Sequence, residues 1–470
     1  MEIRLRRRPV RLTKRLPVAV AAGVAVLAGV LLTLPPERGR APAPAPGPAA
    51  GAQAQAQGRG APAAGVPAAL PALTALIGEH EARLRARPRN GRAWAVLGAA
   101  YVERGRRTGT GGDFPRAERA LRTALRLDPS PATLEGLAAL AVARRDFRAA
   151  ERWAEAARKR APGRWTAQAL LIDARTGLGD ADGVGRALER MTKLESSPAV
   201  DARVAAVYRD QGRREDAAAR ISDAAAAAGA PAERAAYLEQ AGRLAFERGD
   251  REGALLFFQE ALRTDPDQRD AQAGQGRALA ALGRTTQALG AYRAALARQP
   301  RAEYALELGE LYESLGLGQA ARVTYDLVRE RVRAAAADGV DEGLLLGRFE
   351  ADHGDPGAAV RALRAEWRGR PSTAAADALG WALHRAGRTR QALRYATRAT
   401  DADLGGGVRS APYAYHRGMI ERALGRYGPA RRHLAEALRI NPYFSPLHAP
   451  RARGALAALG EPPPGDPPVS

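Results

Sequence analysis

Six histidines, fifty-one carboxylates and no cysteine bound the chemistry open to this 470-residue chain. The histidines are His80, His353, His384, His416, His433 and His448, and no two lie within five residues of each other. A helix-borne metal pair of the H-E-x-x-H kind is therefore missing. The lack of cysteine removes disulfides, thiolate metal sites, a cysteine nucleophile and a lipid-modified N-terminal Cys. The stretch GRRTGTGG (105–112) is glycine-rich and basic, as a phosphate cradle is. It lacks the G-x-x-x-x-G-K-[ST] order and no strand precedes it, so it reads as a loop insertion between two helices. The acidic pairs Asp180/Asp182 and Asp352/Asp355 fall at inter-helix turns, where Asp caps helices. There is no Ser-His-Asp order and no strand-borne elbow for a serine nucleophile. The expectation is a non-enzyme with no catalytic residue, no metal site and no cofactor.

What the chain does repeat is small residues in phase. Residues 377–399 read DALGWALHRAGRTRQALRYATRA, with Gly380, Gly387 and Ala392 at intervals of seven and five. The same spacing recurs at Gly242-Gly249-Ala254, Gly276-Gly283-Ala288, Gly309-Gly316-Ala321, Gly347-Gly354-Ala359 and Gly418-Gly425-Ala430. Gly179 and Gly212 keep the middle glycine alone. A period of 33 to 38 residues between middle glycines marks a repeat array. The first Gly suits a helix crossed closely by its neighbour, and the second ends that helix in the left-handed conformation. The Ala suits a tight crossing on a second helix. Four residues beyond it stands a bulkier residue (Phe258, Tyr292, Tyr325, Leu363, Leu434), on the same helical face. Proline closes several units, at Pro129, Pro162, Pro266, Pro300, Pro371 and Pro442.

This pattern resembles the tetratricopeptide repeat family. The unit Leu308-Gly309-Tyr312-Gly316-Ala321-Tyr325 matches the family order, as does Trp94-Leu97-Gly98-Tyr101 once the insertion near residue 109 is allowed. Units beginning near residues 131, 165 and 198 are degenerate, with Ala or Val at signature positions. The resemblance implies an all-α fold: a right-handed α-solenoid of about nine to ten helix-turn-helix repeats over 70–459. Residues 70–87 and 446–459 read as terminal capping helices, which a stacked array needs. Residues 460–470 read as a Pro-rich disordered tail.

The N-terminus is of a different kind. Seven basic residues within 1–15 precede an uncharged apolar run over 16–34. At ~1.5 Å per residue that run spans roughly 28 Å, close to a bilayer's hydrocarbon core. The expectation is a transmembrane signal-anchor helix, with the basic tail in the cytoplasm and the repeats extracytoplasmic at the cytoplasmic membrane. Secretion after signal cleavage is the alternative; a cleaved signal carries a shorter apolar run and a closer small-x-small site. Residues 35–69, rich in Pro, Ala, Gly and Gln, read as a disordered linker.

The formal net charge is +22, and only three of the 73 basic residues are lysines. Codon bias accounts for such a composition. A surface that attracts anions is the functional reading. Nucleic acid is disfavoured by the absence of a recognised motif and an aromatic content of 5%. The implied solenoid places the first helix of each unit on the concave face. Registered on the Leu-Gly positions, exposed concave residues are expected at Arg243, Arg277, Arg348, Asp377, Trp381, His384, Tyr415, Met419 and Arg422. Trp381, His384, Tyr415, Met419 and Arg422 would form one patch of interface-type residues for a protein or peptide partner. Packing of Trp381 and Met419 between units is the competing reading. Arg243, Arg277 and Arg348 would follow one another across units and bind carboxylates; a solvated mixed-charge face, with Glu239 and Glu310 at concave positions close by, is the competing reading. The functional expectation is a membrane-tethered scaffold or adaptor, with no small-molecule substrate evident. The alternatives are a holding chaperone or assembly factor for secreted or cofactor-bearing envelope proteins, and a binder of anionic envelope polymers.

Overall fold

The computed structural model describes residues 67–109, 111–401 and 408–460. The chain divides into two units, Met1–Gln53 and Ala54–Ser470, and every described residue belongs to the second. Among the described residues there are 22 helices and no strand. α1 (Leu70–Ala86) stands alone at the start. Ten helix pairs follow: α2 (Gly91–Thr108) with α3 (Asp113–Leu127), α4 (Pro131–Ala143) with α5 (Phe147–Arg160), α6 (Trp165–Leu178) with α7 (Ala181–Leu194), and α8 (Pro198–Asp210) with α9 (Arg214–Ala227). Next come α10 (Pro231–Glu247) with α11 (Arg251–Thr264), α12 (Arg269–Ala281) with α13 (Thr285–Arg298), and α14 (Ala302–Ser314) with α15 (Gly318–Ala337). The last pairs are α16 (Gly343–His353) with α17 (Pro356–Gly369), α18 (Thr373–Arg385) with α19 (Thr389–Thr400), and α20 (Ala411–Ala423) with α21 (Tyr427–Ile440). α22 (His448–Ala458) closes the array. The degenerate units at 131, 165 and 198 are full helix pairs.

Local sequence explains the ends. Asn90, Ser130, Asp146, Asp180, Asp250, Asp355 and Ser372 each accept a hydrogen bond from a backbone N–H of the helix they precede. Asp180 and Asp355 are thus caps, as expected; Asp352 lies inside α16 and serves another purpose. The insertion near residue 109 is less loop than expected. α2 runs 18 residues against 13 for α4, and ends at Gly109, whose φ is +64°.

The three small residues of each unit have separable jobs. A Cβ on the first glycine would meet the bulky residue of the second helix. The distance is 2.7 Å from Gly242 to Phe258, 2.8 Å from Gly276 to Tyr292, 2.4 Å from Gly309 to Tyr325, 2.5 Å from Gly347 to Leu363 and 2.8 Å from Gly418 to Leu434. In the first unit Gly98 faces Leu121 at 2.5 Å. Gly380 differs: its unit has Ala396 where the others have a large side chain, and the backbone itself approaches, with the Ala396 nitrogen at 3.1 Å. Ala254, Ala288, Ala321, Ala359, Ala392 and Ala430 are all buried at the crossings. The middle glycines Gly249, Gly283, Gly316, Gly387 and Gly425 all have positive φ. Gly354 does not: its φ is −140°, so it does not end α16 as a left-handed stop. Leu97 and Tyr101 are buried in the first unit, Tyr312 in the seventh, and the Trp94 indole donates to the Pro88 carbonyl at 2.8 Å.

Beyond neighbour-to-neighbour packing, the coil touches itself. The Gln299 amide donates to the Arg106 carbonyl at 3.0 Å, and the Asp341 N–H to the Arg144 carbonyl at 3.0 Å. Arg370 donates to the Arg145 carbonyl at 2.7 Å, and Asn441 to the Phe246 carbonyl at 2.7 Å. In each case the turn region of an earlier pair meets the segment that follows a later pair. These contacts form a seam along which successive turns of the solenoid lock.

Among the described residues no helix is long and apolar enough to cross a membrane. The anchor expected over 16–34, its basic flank over 1–15 and the tail over 461–470 lie outside the described residues. Of the expected linker only residues 67–69 are described; Ala68 is buried and its carbonyl accepts from Arg107 at 2.6 Å.

Candidate partner-binding groove

The aromatic patch expected at the C-terminal end exists as a cluster, but it is covered. Trp381 and Tyr415 are 5% and 1% exposed, and Asp377 is buried as well. The expected exposure of these three is corrected by the segment that follows the last pair. The His448 ring stacks on Tyr415 at 5.1 Å and Phe444 packs on Tyr415 at 5.5 Å. The His416 ring stacks on Trp381 at 4.3 Å. The Trp381 N–H donates to Asp352 at 2.9 Å, and His416 is hydrogen-bonded to Asp377 at 2.9 Å. Residues 444–448 of the chain itself thus fill the place assigned to a partner. His384 is half-buried, with its Nδ1 3.2 Å from the Thr389 hydroxyl, and Met419 packs partly buried against the same core. Arg422 stays exposed.

The arginine series is also largely spoken for. Arg277 pairs with Glu307 at 2.5 Å, and the nearest carboxylate to Arg243 is Glu239 at 3.9 Å. Arg348 is exposed and, among the described residues, has no carboxylate within ion-pair distance. These three do not form a free carboxylate-binding ladder; the mixed-charge reading fits Arg243 and Arg277.

Sequence spacing concealed a histidine cluster. His353, His384, His416 and His448 lie 31, 32 and 32 residues apart, about one repeat each, which sets them on successive first helices. His384, His416 and His448 all approach the Trp381 ring, at 5.3, 4.3 and 6.0 Å between centroids. His353 stacks on Tyr325 at 4.3 Å. Burial pushes the His448 imidazole down to about 4, outweighing the pull of Asp352. It is neutral at pH 7, so its 3.8 Å approach to Asp352 is not an ion pair there. Burial, then the Arg385 charge, also lowers His384. Among the described residues no group of three or more His, Asp or Glu is placed to hold a metal ion.

The open concave surface lies at the other end. A groove of about 690 Å³ runs along the inner faces of α2, α4, α6 and α8. Its floor is Ala95, Ala99, Ala139, Val142, Ala169 and Leu170. Ala95, Ala99, Ala139 and Val142 occupy the register that holds Asp377, Trp381 and His384 in the C-terminal half: three before, one after and four after the small crossing residue, here Gly98 and Ala138. Small side chains there leave space where Trp381 and Tyr415 fill it. The charges on the rim are mostly matched. Arg164 pairs with Glu135 through two bonds of 2.8 and 2.6 Å, Arg203 pairs with Asp173, and Arg106 pairs with Glu103 at 3.3 Å. A neutralised rim around an apolar floor suits an apolar side-chain row more than a highly charged one.

A family model described as "Tetratricopeptide repeat" matches residues 109–164, 273–338 and 378–443. Those three stretches are similar to tetratricopeptide repeats. The matched stretches cover α3 with the α4–α5 pair, and further helices in the middle and at the C-terminal end; the remaining pairs share the helix-turn-helix form. No curated protein matches the chain. Solved structures similar to it include the human IFIT1 dimer with PPP-AAAA, at 16% identity and a TM-score of 0.44, covering 67% of this chain and 73% of that one. A tetratricopeptide repeat protein from Parabacteroides merdae is 17% identical with a TM-score of 0.32, over 56% of this chain and 99% of that one. Yeast Tom70 is 12% identical with a TM-score of 0.32, over 77% of this chain and 96% of that one.

Proposed function

We propose that this tetratricopeptide repeat protein is a binding scaffold, not an enzyme, and that the groove of α2, α4, α6 and α8 takes a peptide segment of a protein partner through apolar side chains. The observation that supports the reading is the contrast between the two halves of the inner face. The register is the same, but Ala95, Ala99 and Ala139 leave the groove open, whereas Trp381 and Tyr415 are buried under the chain's own Phe444 and His448. The apolar run over 16–34 supports a membrane tether with the repeats held outside the cytoplasmic membrane.

Two experiments test this reading. Ala99→Trp with Ala139→Trp fills the groove while leaving the buried crossings alone. The expected result is loss of the partner recovered with the wild-type chain, at unchanged helical circular dichroism; undiminished recovery contradicts the site. For the tether, a single Cys placed within 40–60 of this cysteine-free chain reacts with a membrane-impermeant label on intact cells. Labelling only after lysis contradicts the outward orientation.

A further inference from the structure

The seam is not continuous. Gly179 of the α6–α7 turn lies so close to the next turn of the coil that a Cβ there would be 2.8 Å from the Pro371 carbonyl oxygen. Gly249 of the α10–α11 turn lies against Pro442, at 3.2 Å by the same measure. Between these two contacts is a cavity of about 530 Å³ that adjoins the groove of α2, α4, α6 and α8, sharing Thr176, Val207 and Asp210 with it. Its apolar wall comes from both turns of the coil: Val184 and Val207 from one, and Trp367, Tyr413 and Phe444 from the other.

Its charges do not balance. Five arginines line it against two carboxylates, Asp210 and Glu247. Two of the five are committed. Arg175 is held by Glu151 at 3.0 Å and Glu155 at 2.8 Å, and Arg209 lies 3.0 Å from Asp210 and 3.8 Å from Glu247. The other three, Arg214, Arg398 and Arg409, have no carboxylate within ion-pair distance among the described residues. Arg398 lies over the Trp367 ring at 5.3 Å. Burial first, then the charge of Arg409 beside it, lowers the Arg214 guanidinium despite Glu247. Both carboxylates of the cavity already serve Arg209, so among the described residues no further carboxylate lines the cavity to meet the remaining cations.

We propose that this cavity binds a small organic anion, with an aromatic or apolar body against Trp367, Tyr413 and Phe444 and a carboxylate or sulfonate head held by Arg214 and Arg409. The apolar wall removes the body from water, and the guanidiniums meet the head with charge-assisted hydrogen bonds. A ligand there would bridge two turns of the solenoid.

The test is isothermal titration calorimetry of the full chain with 2-naphthalenesulfonate, and with 2-naphthylmethylamine as the cationic counterpart. The expected result is saturable binding of one sulfonate per chain and no binding of the amine. Arg214→Gln with Arg409→Gln should weaken sulfonate binding at least tenfold, because a charge-assisted contact is worth about 1.5–3 kcal/mol. Helical content should not change, since neither residue is in an ion pair. Trp367→Leu should weaken binding without altering its salt dependence. Absence of saturable heat, equal binding of the amine, or full affinity in the double variant would each overturn the assignment.

Discussion

The Asn441 side chain donates to the Phe246 carbonyl at 2.7 Å across 195 residues of sequence, and Asn441 is 2% exposed. A contact of this span is not part of nearest-neighbour stacking, which suffices for most solenoids. It joins the end of α21 to the end of α10, and so ties one turn of the coil to the next. Asn441→Ala removes this bond while the Gly249 N–H still donates to the same carbonyl at 2.9 Å, at a cost of about 0.5–1.5 kcal/mol. Hydrogen exchange in the α10–α11 turn, at residues 248–250, is expected to quicken, while the turn at 283 keeps its wild-type rate. Equal quickening at both places would contradict the seam.

Two glycines with the same backbone and different surroundings separate strain from contact. Gly179 and Gly283 have φ of 76° and 73°, but only Gly179 faces another turn of the coil; a Cβ on Gly283 meets nothing within 4 Å. Gly283→Ala should cost about 1 kcal/mol, the left-handed penalty alone. Gly179→Ala adds overpacking against Pro371 and should cost about 3 kcal/mol. Chemical denaturation of the two variants measures the difference.

The crossing inside a pair can be tested by compensation. Gly347→Ala puts a methyl 2.5 Å from Leu363, a fully buried side chain. Alone it should cost about 1–3 kcal/mol by overpacking, and Leu363→Ala alone about 2–5 kcal/mol by cavity formation. Together they should cost at least about 1 kcal/mol less than the sum, because the new methyl enters the space left by the leucine. Additive costs would contradict the close crossing.

Histidine burial makes the C-terminal cover acid-sensitive. His448 ionises at about 4 in the fold against 6.5 when exposed. Below pH 6.5 the unfolded form binds the extra proton, so stability falls as pH falls and levels off below about 4. The full difference is about 3 kcal/mol. Around His448 stand Asp352, Glu310, His416 and Arg451, and among the described residues no hydrogen-bond partner satisfies its Nε2. Exchange protection of α22 should therefore drop between pH 6.5 and 4.5. His448→Phe, which keeps the ring against Tyr415 and cannot ionise, should flatten that dependence. A profile unchanged by His448→Phe would assign the acid response to another group.

Much of the fold was legible because small and large residues alternate in phase. Gly418 and Leu434, sixteen positions apart, meet at 2.8 Å by the Cβ measure, as the spacing implies. Gly354 was misread because an Asp-capped turn, with Asp355 accepting from Gly357 at 2.7 Å, ends that helix without a left-handed residue. The seam was illegible: the Asn441–Phe246 contact depends on the pitch of the whole coil, and no local pattern sets pitch. Trp381 and Tyr415 were expected on an open face because their cover, Phe444 and His448, lies beyond the last repeat. The open groove was overlooked for the opposite reason. Ala95, Ala99 and Ala139 carry no chemical signal, although the register that singled out Trp381 falls on them as well. The histidine cluster carried a signal, its one-repeat spacing, which a search for close ligand pairs does not detect.

Site-specific photocrosslinking tests the central claim most directly. A benzophenone amino acid is placed at Ala99 or Ala139 in the groove, at Arg422 on the expected C-terminal patch, and at Arg122 on a second helix as a control, in cells that make the full-length protein. The account predicts a discrete crosslinked partner from Ala99 and Ala139 and none from Arg422 or Arg122. The same partner captured from Arg422 but not from Ala99 or Ala139 would contradict it.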